Sequence, residues 1–169
     1  MEDTPNPSIW TYIIDVVETV VVAAAIFVIV YLFLLQPHQV KGNSMLPNFH
    51  DGEYILTDKV SYRFSNPQRG DVIIFKAPTD PDVDFIKRVI ALPGEKVEIT
   101  GGKVIIFNKD QPQGFTLNEP YKINGPTSGG SNAPQNTVVT VGNDEYFVLG
   151  DNRVESFYSR SWECCQRKI

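Results

Sequence analysis

Ser44 lies in Gly42-Asn43-Ser44-Met45-Leu46-Pro47, which closely follows the one segment apolar enough to cross a bilayer. A serine hydroxyl is a weak nucleophile and reacts when a neighbouring base takes its proton. Histidine is the familiar base, but His38 sits beside the end of the apolar segment and His50 in a short loop, so neither completes a Ser-His-Asp arrangement. A lysine serves instead if burial holds it neutral, with its pKa lowered toward about 7–8. Lys87 is the candidate: Phe85, Ile86, Val89 and Ile90 are apolar, and a strand there buries one face. Arg88 must then point to the opposite face. Periodicity alone leans to a plainer alternative, in which both cations are solvated.

The elements that must position these residues are a helix and a set of strands. Residues 1–11 are a polar lead containing Pro5 and Pro7. From Ile13 to Leu35 the chain is dominated by Val, Ala, Ile, Leu and Phe, and roughly 23 residues of helix reach about 34 Å, enough to span the hydrocarbon core. Residues 12–36 therefore read as a transmembrane anchor, ended by Gln36-Pro37. Asp15 and Glu18 are expected in its first turns, near the interface and the positive helix end, with Trp10 and Tyr12 in an aromatic belt. A cleavable signal peptide or a buried core helix are the alternatives. A signal peptide has a basic leading region and a small-residue cleavage site, and this chain has neither. Lys41 and Lys59 follow the helix while no Lys or Arg precedes it, so the positive-inside rule mildly disfavours an outside C-terminal domain.

Residues 37–169 change to short alternating or β-branched runs. Glu53–Thr57, Asp71–Phe75, Phe85–Ile90, Lys96–Ile99, Lys103–Phe107, Thr137–Val141 and Tyr146–Leu149 read as strands. Pro67-Gln68-Arg69-Gly70, Pro93-Gly94, Gly101-Gly102 and Gly142-Asn143-Asp144 separate them as turns, and Gly101-Gly102 marks a tight hairpin. The domain is all-β or nearly so. Residues 110–135, rich in Gly, Pro, Asn and Ser, read as an insertion or flexible excursion without a catalytic part.

A length of 169 residues accommodates one membrane element and one domain of moderate size. The net charge of −5 and the lack of a basic stripe give no reason to expect a nucleic-acid partner. Cys164 and Cys165 are adjacent and have neither metal-ligand spacing nor a loop to close. No metal or other cofactor is expected.

Gly42-Asn43-Ser44-Met45-Leu46-Pro47, Arg69-Gly70-Asp71-Val72, Phe85-Ile86-Lys87-Arg88-Val89-Ile90-Ala91-Leu92-Pro93-Gly94-Glu95 and Gly150-Asp151-Asn152-Arg153 occur in one order. In that order the chain resembles the bacterial type I signal peptidases, from about Val16 to Arg160. The resemblance implies a membrane-anchored serine endopeptidase. Its domain would be a mainly antiparallel β-sheet or partly open barrel on the extracytoplasmic side of the cytoplasmic membrane, beside the lipid bilayer. Its substrates would be the signal peptides of exported pre-proteins, with small residues before the cleavage point. It further implies Ser44 as nucleophile and Lys87 as general base. Ser156 would orient the lysine, Asp151 and Arg160 would form a supporting ion pair with Arg88 as further support, and the Ser44 backbone N–H would be the oxyanion donor. Gly42 stands where some members carry a second donor hydroxyl, so the oxyanion hole is expected to be backbone-based.

A tether of nine residues from Leu35 to Ser44 reaches at most about 30 Å, so Ser44 is expected to work close to the bilayer. A substrate spanning the same membrane meets it there more often, and would bind as an extended segment on a strand edge. Two features depart from the family. Tyr158 stands where an aspartate normally helps to fix Arg160, and the end at Ser161–Ile169 reads as truncated or frameshifted, with any closing strand missing. These leave two rival readings: an inactive relative acting as a binding or structural module, and a self-cleaving serine/lysine regulator. Against the second stand the apolar helix and the lack of a preceding DNA-binding segment.

Overall fold

The computed structural model describes residues 8–33, 35–58, 60–77, 80–123, 125–130, 133–156 and 164–166. The apolar run forms helix α1, Ile9–Phe33. It starts earlier than the apolar pattern suggests because Ser8 caps it: the Trp10 N–H donates to Ser8 Oγ at 3.3 Å. Consequently no acid lies in its first turn, and Asp15 and Glu18 sit further along than expected. The helix also ends earlier, because the residue before a proline avoids helical geometry and the chain is already extended in strand β1, Leu35–Gln39. Pro37 lies inside that strand. It is tolerated there because β1 pairs only with β2, Tyr54–Asp58, in a two-stranded ribbon.

The remaining strands build two antiparallel four-stranded sheets. The first contains β3 (Val72–Ala77), β4 (Asp80–Ala91), β9 (Glu145–Leu149) and β10 (Cys164–Gln166), in the order β10-β9-β4-β3. The second contains β5 (Lys96–Thr100), β6 (Lys103–Phe107), β7 (Phe115–Thr116) and β8 (Val138–Thr140), in the order β7-β6-β5-β8. One helical turn, α2 (Ser61–Phe64), precedes β3. Neither sheet closes into a barrel. The hairpin expected at Gly101-Gly102 joins β5 to β6, with φ of 55° and 76° at the two glycines, values that glycine adopts without strain.

Alternation along the strands builds two apolar layers. Ile90, Phe147 and Leu149 from the first sheet pack against Val97, Ile99, Val104 and Ile106 from the second. On the opposite face of the first sheet Ile73, Phe75, Val89, Tyr146 and Val148 form another cluster, covered in part by Tyr62 of α2. β9 and the C-terminal end of β4, Val89–Ala91, are therefore buried on both faces.

Two expectations change here. Cys164–Gln166 pairs with β9 at Phe147, Tyr146 and Glu145, so an edge strand is present where a closing strand was expected to be missing. Segment 110–135, read as an excursion, is tied to the domain at several points: Thr127 and Ala133 are 1% exposed, Phe115, Leu117 and Tyr121 pack on the core, and Glu119 pairs with Arg153.

Candidate active site

Ser44 lies in the loop between β1 and β2, and that loop is folded onto the domain. Met45 is fully buried and acts as its apolar anchor, while its carbonyl accepts from the N–H groups of Asn48 and Phe49, both at 3.1 Å. Segment 150–156 clamps the loop from the other side. The Asn152 N–H donates to the Ser44 carbonyl at 3.0 Å, and Asn152 Nδ2 donates to the Asn43 carbonyl at 3.0 Å. A trans peptide points its N–H opposite to its C=O, so the bond on the Asn43 carbonyl also fixes the direction of the Ser44 N–H. Among the described residues that N–H donates no hydrogen bond.

Lys87 comes from β4, opposite Ile73 of β3 in the register. Its side chain passes over Phe85, with Nζ at 5.6 Å from the ring centroid, and ends 2.7 Å from Ser44 Oγ. The lysine is 5% exposed. The structure thus brings together two residues separated by 43 positions. His50 is engaged by Glu53 at 3.0 Å and His38 by Thr57 at 2.9 Å.

The next residue on β4, Arg88, serves a separate cluster. Its Nε and Nη2 donate to Asp151 Oδ1 and Oδ2 at 2.8 and 2.6 Å, its Nη1 donates to the Gly70 carbonyl at 2.8 Å, and its guanidinium lies 4.2 Å from the Tyr121 ring centroid. The hydrogen bonds to Asp151 raise the Arg88 pKa further above its already high ordinary value. Burial first, then the Glu119 charge, pushes the Tyr121 phenol up. Asp151 is fully buried and also accepts from Asn48 Nδ2 at 2.8 Å. Removing the carboxylate would leave the guanidinium desolvated without its counterion. Asp151→Ala is therefore expected to cost about 3–5 kcal/mol, measured by denaturant unfolding, and an unchanged midpoint would contradict this account.

Ser156 is buried, and its hydroxyl donates to the Asn152 carbonyl and, at 3.2 Å, to the Ser44 carbonyl. Arg160 and Tyr158 lie outside the described residues. Asn48 and Glu119 escape sequence reasoning. Asn48 bonds both Asp151 and the Tyr121 carbonyl, and Glu119 engages Arg153, which also donates to Thr127 Oγ1 at 2.6 Å and to the Gly150 carbonyl at 3.0 Å. Nothing local in the sequence marks either residue. Gly150, by contrast, sits in a recognisable motif, but its requirement is spatial: an added Cβ would meet Ser156 Oγ at 2.1 Å and the Ser44 carbonyl oxygen at 2.4 Å.

A serine hydroxyl in contact with a buried amine, carried on antiparallel sheets behind an apolar helix, is the layout of a serine hydrolase. The chain belongs to the family described as signal peptidase, peptidase S26, which matches residues 13–168, and is a serine endopeptidase of the signal peptidase I type. It is similar to the probable signal peptidase I-1 of Synechocystis sp., 36% identical over 169 residues that cover 96% of this chain and 80% of that protein. The signal peptidase I of Leptolyngbya laminosa is 32% identical, covering 86% of this chain and 70% of its own. That of Bacillus amyloliquefaciens is 33% identical, with 85% and 73% covered.

Proposed function

We propose that the chain is anchored by α1 in the cytoplasmic membrane and removes signal peptides from exported pre-proteins on the extracytoplasmic side, with Ser44 as nucleophile and Lys87 as general base. The observation that carries this reading is the 2.7 Å separation of Lys87 Nζ and Ser44 Oγ. In this mechanism Nζ, neutral before reaction, takes the Oγ proton as Oγ bonds to the scissile carbonyl carbon. The carbonyl oxygen gains the negative charge and is met by the Ser44 N–H, held in direction by Asn152. Collapse of the adduct breaks the C–N bond, and the ammonium returns its proton to the departing amine. The Lys87 amine then takes a proton from a water as its oxygen attacks the ester carbonyl, and returns that proton to Ser44 Oγ as the ester C–O bond breaks.

The other site residues act through these two. Ser156, bonded to the Ser44 carbonyl, is proposed to orient Lys87, and Asp151, Arg88 and Arg160 to support the strand and loop that carry the pair. Helix α1 has 25 residues, about 37 Å, which is long enough to span a bilayer. The substrate would lie extended in a groove of about 860 Å³ between the β1–β2 ribbon and edge strand β3, where unpaired backbone groups are available to a peptide.

Full-length protein in detergent is expected to cleave a model pre-protein at its signal-peptide junction, and no cleavage by the intact chain overturns the reading. Activity should also rise with pH across about 6 to 9, since the base works only as the free amine and burial disfavours the ammonium. A flat profile of kcat/KM would argue against a lysine base.

A further inference from the structure

The groove is lined by apolar side chains, among them Ile55, Ile74 and Ile86, interspersed with polar ones. One polar group stands on the strands that carry the site. His38 on β1, Thr57 on β2 and Asp84 on β4 all line the groove, and they are ordered relative to one another. The contact between Thr57 Oγ1 and His38 Nδ1 is 2.9 Å. With the hydroxyl as donor, Nδ1 is the acceptor and the imidazole carries its proton on Nε2. That Nε2 faces Asp84 Oδ2 at 3.6 Å, too far for a direct hydrogen bond. The other carboxylate oxygen, Oδ1, is held by Lys76 Nζ at 2.9 Å.

A donor and an acceptor therefore stand 3.6 Å apart without a direct hydrogen bond between them. An oxygen seated to one side of the pair, about 2.8 Å from each, would bridge them, and a hydroxyl, one donor with free lone pairs, matches both partners. An ammonium, a donor without lone pairs, matches only the carboxylate. Side chains at 18% and 33% exposure hold the pair partly out of water, so the match counts for more than it would at the surface.

Both walls are continuous along the chain with the segments that carry the reacting pair. Ile86 precedes Lys87 on β4, and β1 runs on into the loop that carries Ser44. An extended segment reaching Ser44 along these strands turns alternate side chains toward the wall. We propose that His38 and Asp84, with Thr57 fixing the imidazole, form a hydroxyl-reading subsite that favours substrates with Ser or Thr over an apolar side chain of equal size at one position before the scissile bond. The proposal rests on the groove being the substrate groove.

The test uses full-length protein in detergent and a set of signal-peptide substrates that carry Thr or Val in turn at each of the four positions preceding the cleaved bond. Thr and Val have the same shape, so the ratio of their kcat/KM values isolates the hydroxyl. The expected ratio is about five- to tenfold at one position and close to one at the others, the size of an ordinary hydrogen bond, since partial solvation weakens the charged partner. In His38→Phe and in Asp84→Asn that ratio should fall to about one, and because it compares two substrates on the same variant it is insensitive to a general loss of activity. A ratio of one at all four positions in the unaltered protein overturns the subsite while leaving the groove in place, as does a preference that survives both variants. Failure to cleave any substrate of the set overturns the groove reading and the subsite with it.

Discussion

Ser44→Ala and Lys87→Met are each expected to lower pre-protein cleavage by on the order of 10⁴-fold or more, with the double variant no worse than the poorer single one. The two groups act as one unit. Without Oγ there is no atom to form the ester, and without Nζ the base that stands 2.7 Å from it is lost. Methionine is the informative replacement at Lys87 because the side chain is 5% exposed. Exchanging a buried neutral amine for an apolar chain of similar length removes a polar group from the interior, so the thermal midpoint should hold while the rate collapses. Lys87→Arg should not rescue the reaction, since a guanidinium stays protonated at any working pH. Retention of more than about a hundredth of the rate in Lys87→Met would exclude the lysine as base.

Gly150→Ala should be the most damaging substitution that removes no functional group. The new methyl would lie 2.4 Å from the Ser44 carbonyl oxygen and 2.1 Å from Ser156 Oγ. The hydroxyl can rotate away, but the carbonyl belongs to the backbone of the nucleophile loop, which must move. Movement breaks the 3.0 Å bond from the Asn152 N–H and displaces Oγ from Lys87. A displacement near 1 Å at a reacting group costs about 100-fold in rate, and overpacking costs about 1–3 kcal/mol in stability. Both changes should appear in one sample, as loss of cleavage and an earlier unfolding midpoint. Ser156→Ala added to Gly150→Ala should not restore activity, because it leaves the carbonyl contact in place. Recovery in the double variant would show that the hydroxyl was the real obstacle.

The four ordered motifs fixed the family and contain Ser44, Lys87 and Asp151, with Ser156 three residues beyond the last motif; the part that Asn152 plays in holding the nucleophile loop was not foreseen. What they could not show was partnership. Asp151 was expected to support the site with Arg160 and Arg88; Arg160 lies outside the described residues, and the carboxylate is bidentate with Arg88, 63 positions away on the strand that also carries Lys87. The alternation rule did place Lys87 and Arg88 on opposite faces, and the strand delivers one to Ser44 and the other to Asp151.

Local chemistry was sufficient for elements whose cause is local. The predominantly apolar run specifies α1, period-two alternation specifies most of the strands, and paired glycines specify the β5–β6 turn. It failed where the cause is a distant partner. Strand β1 contains Pro37 and has no alternation to advertise it, and it exists because β2 pairs with it from His38↔Ile55 outward. Strand β10 exists because the edge of β9 is available. Segment 110–135 has the composition of a free loop, but Glu119 and Thr127 are held by Arg153 and Tyr121 lies against Arg88. The sequence alone thus determined which groups were available for chemistry. Only the tertiary structure decided which of them meet, because hydrogen bonds and ion pairs across tens of residues depend on sheet register and loop closure, and neither leaves a periodic trace in the chain.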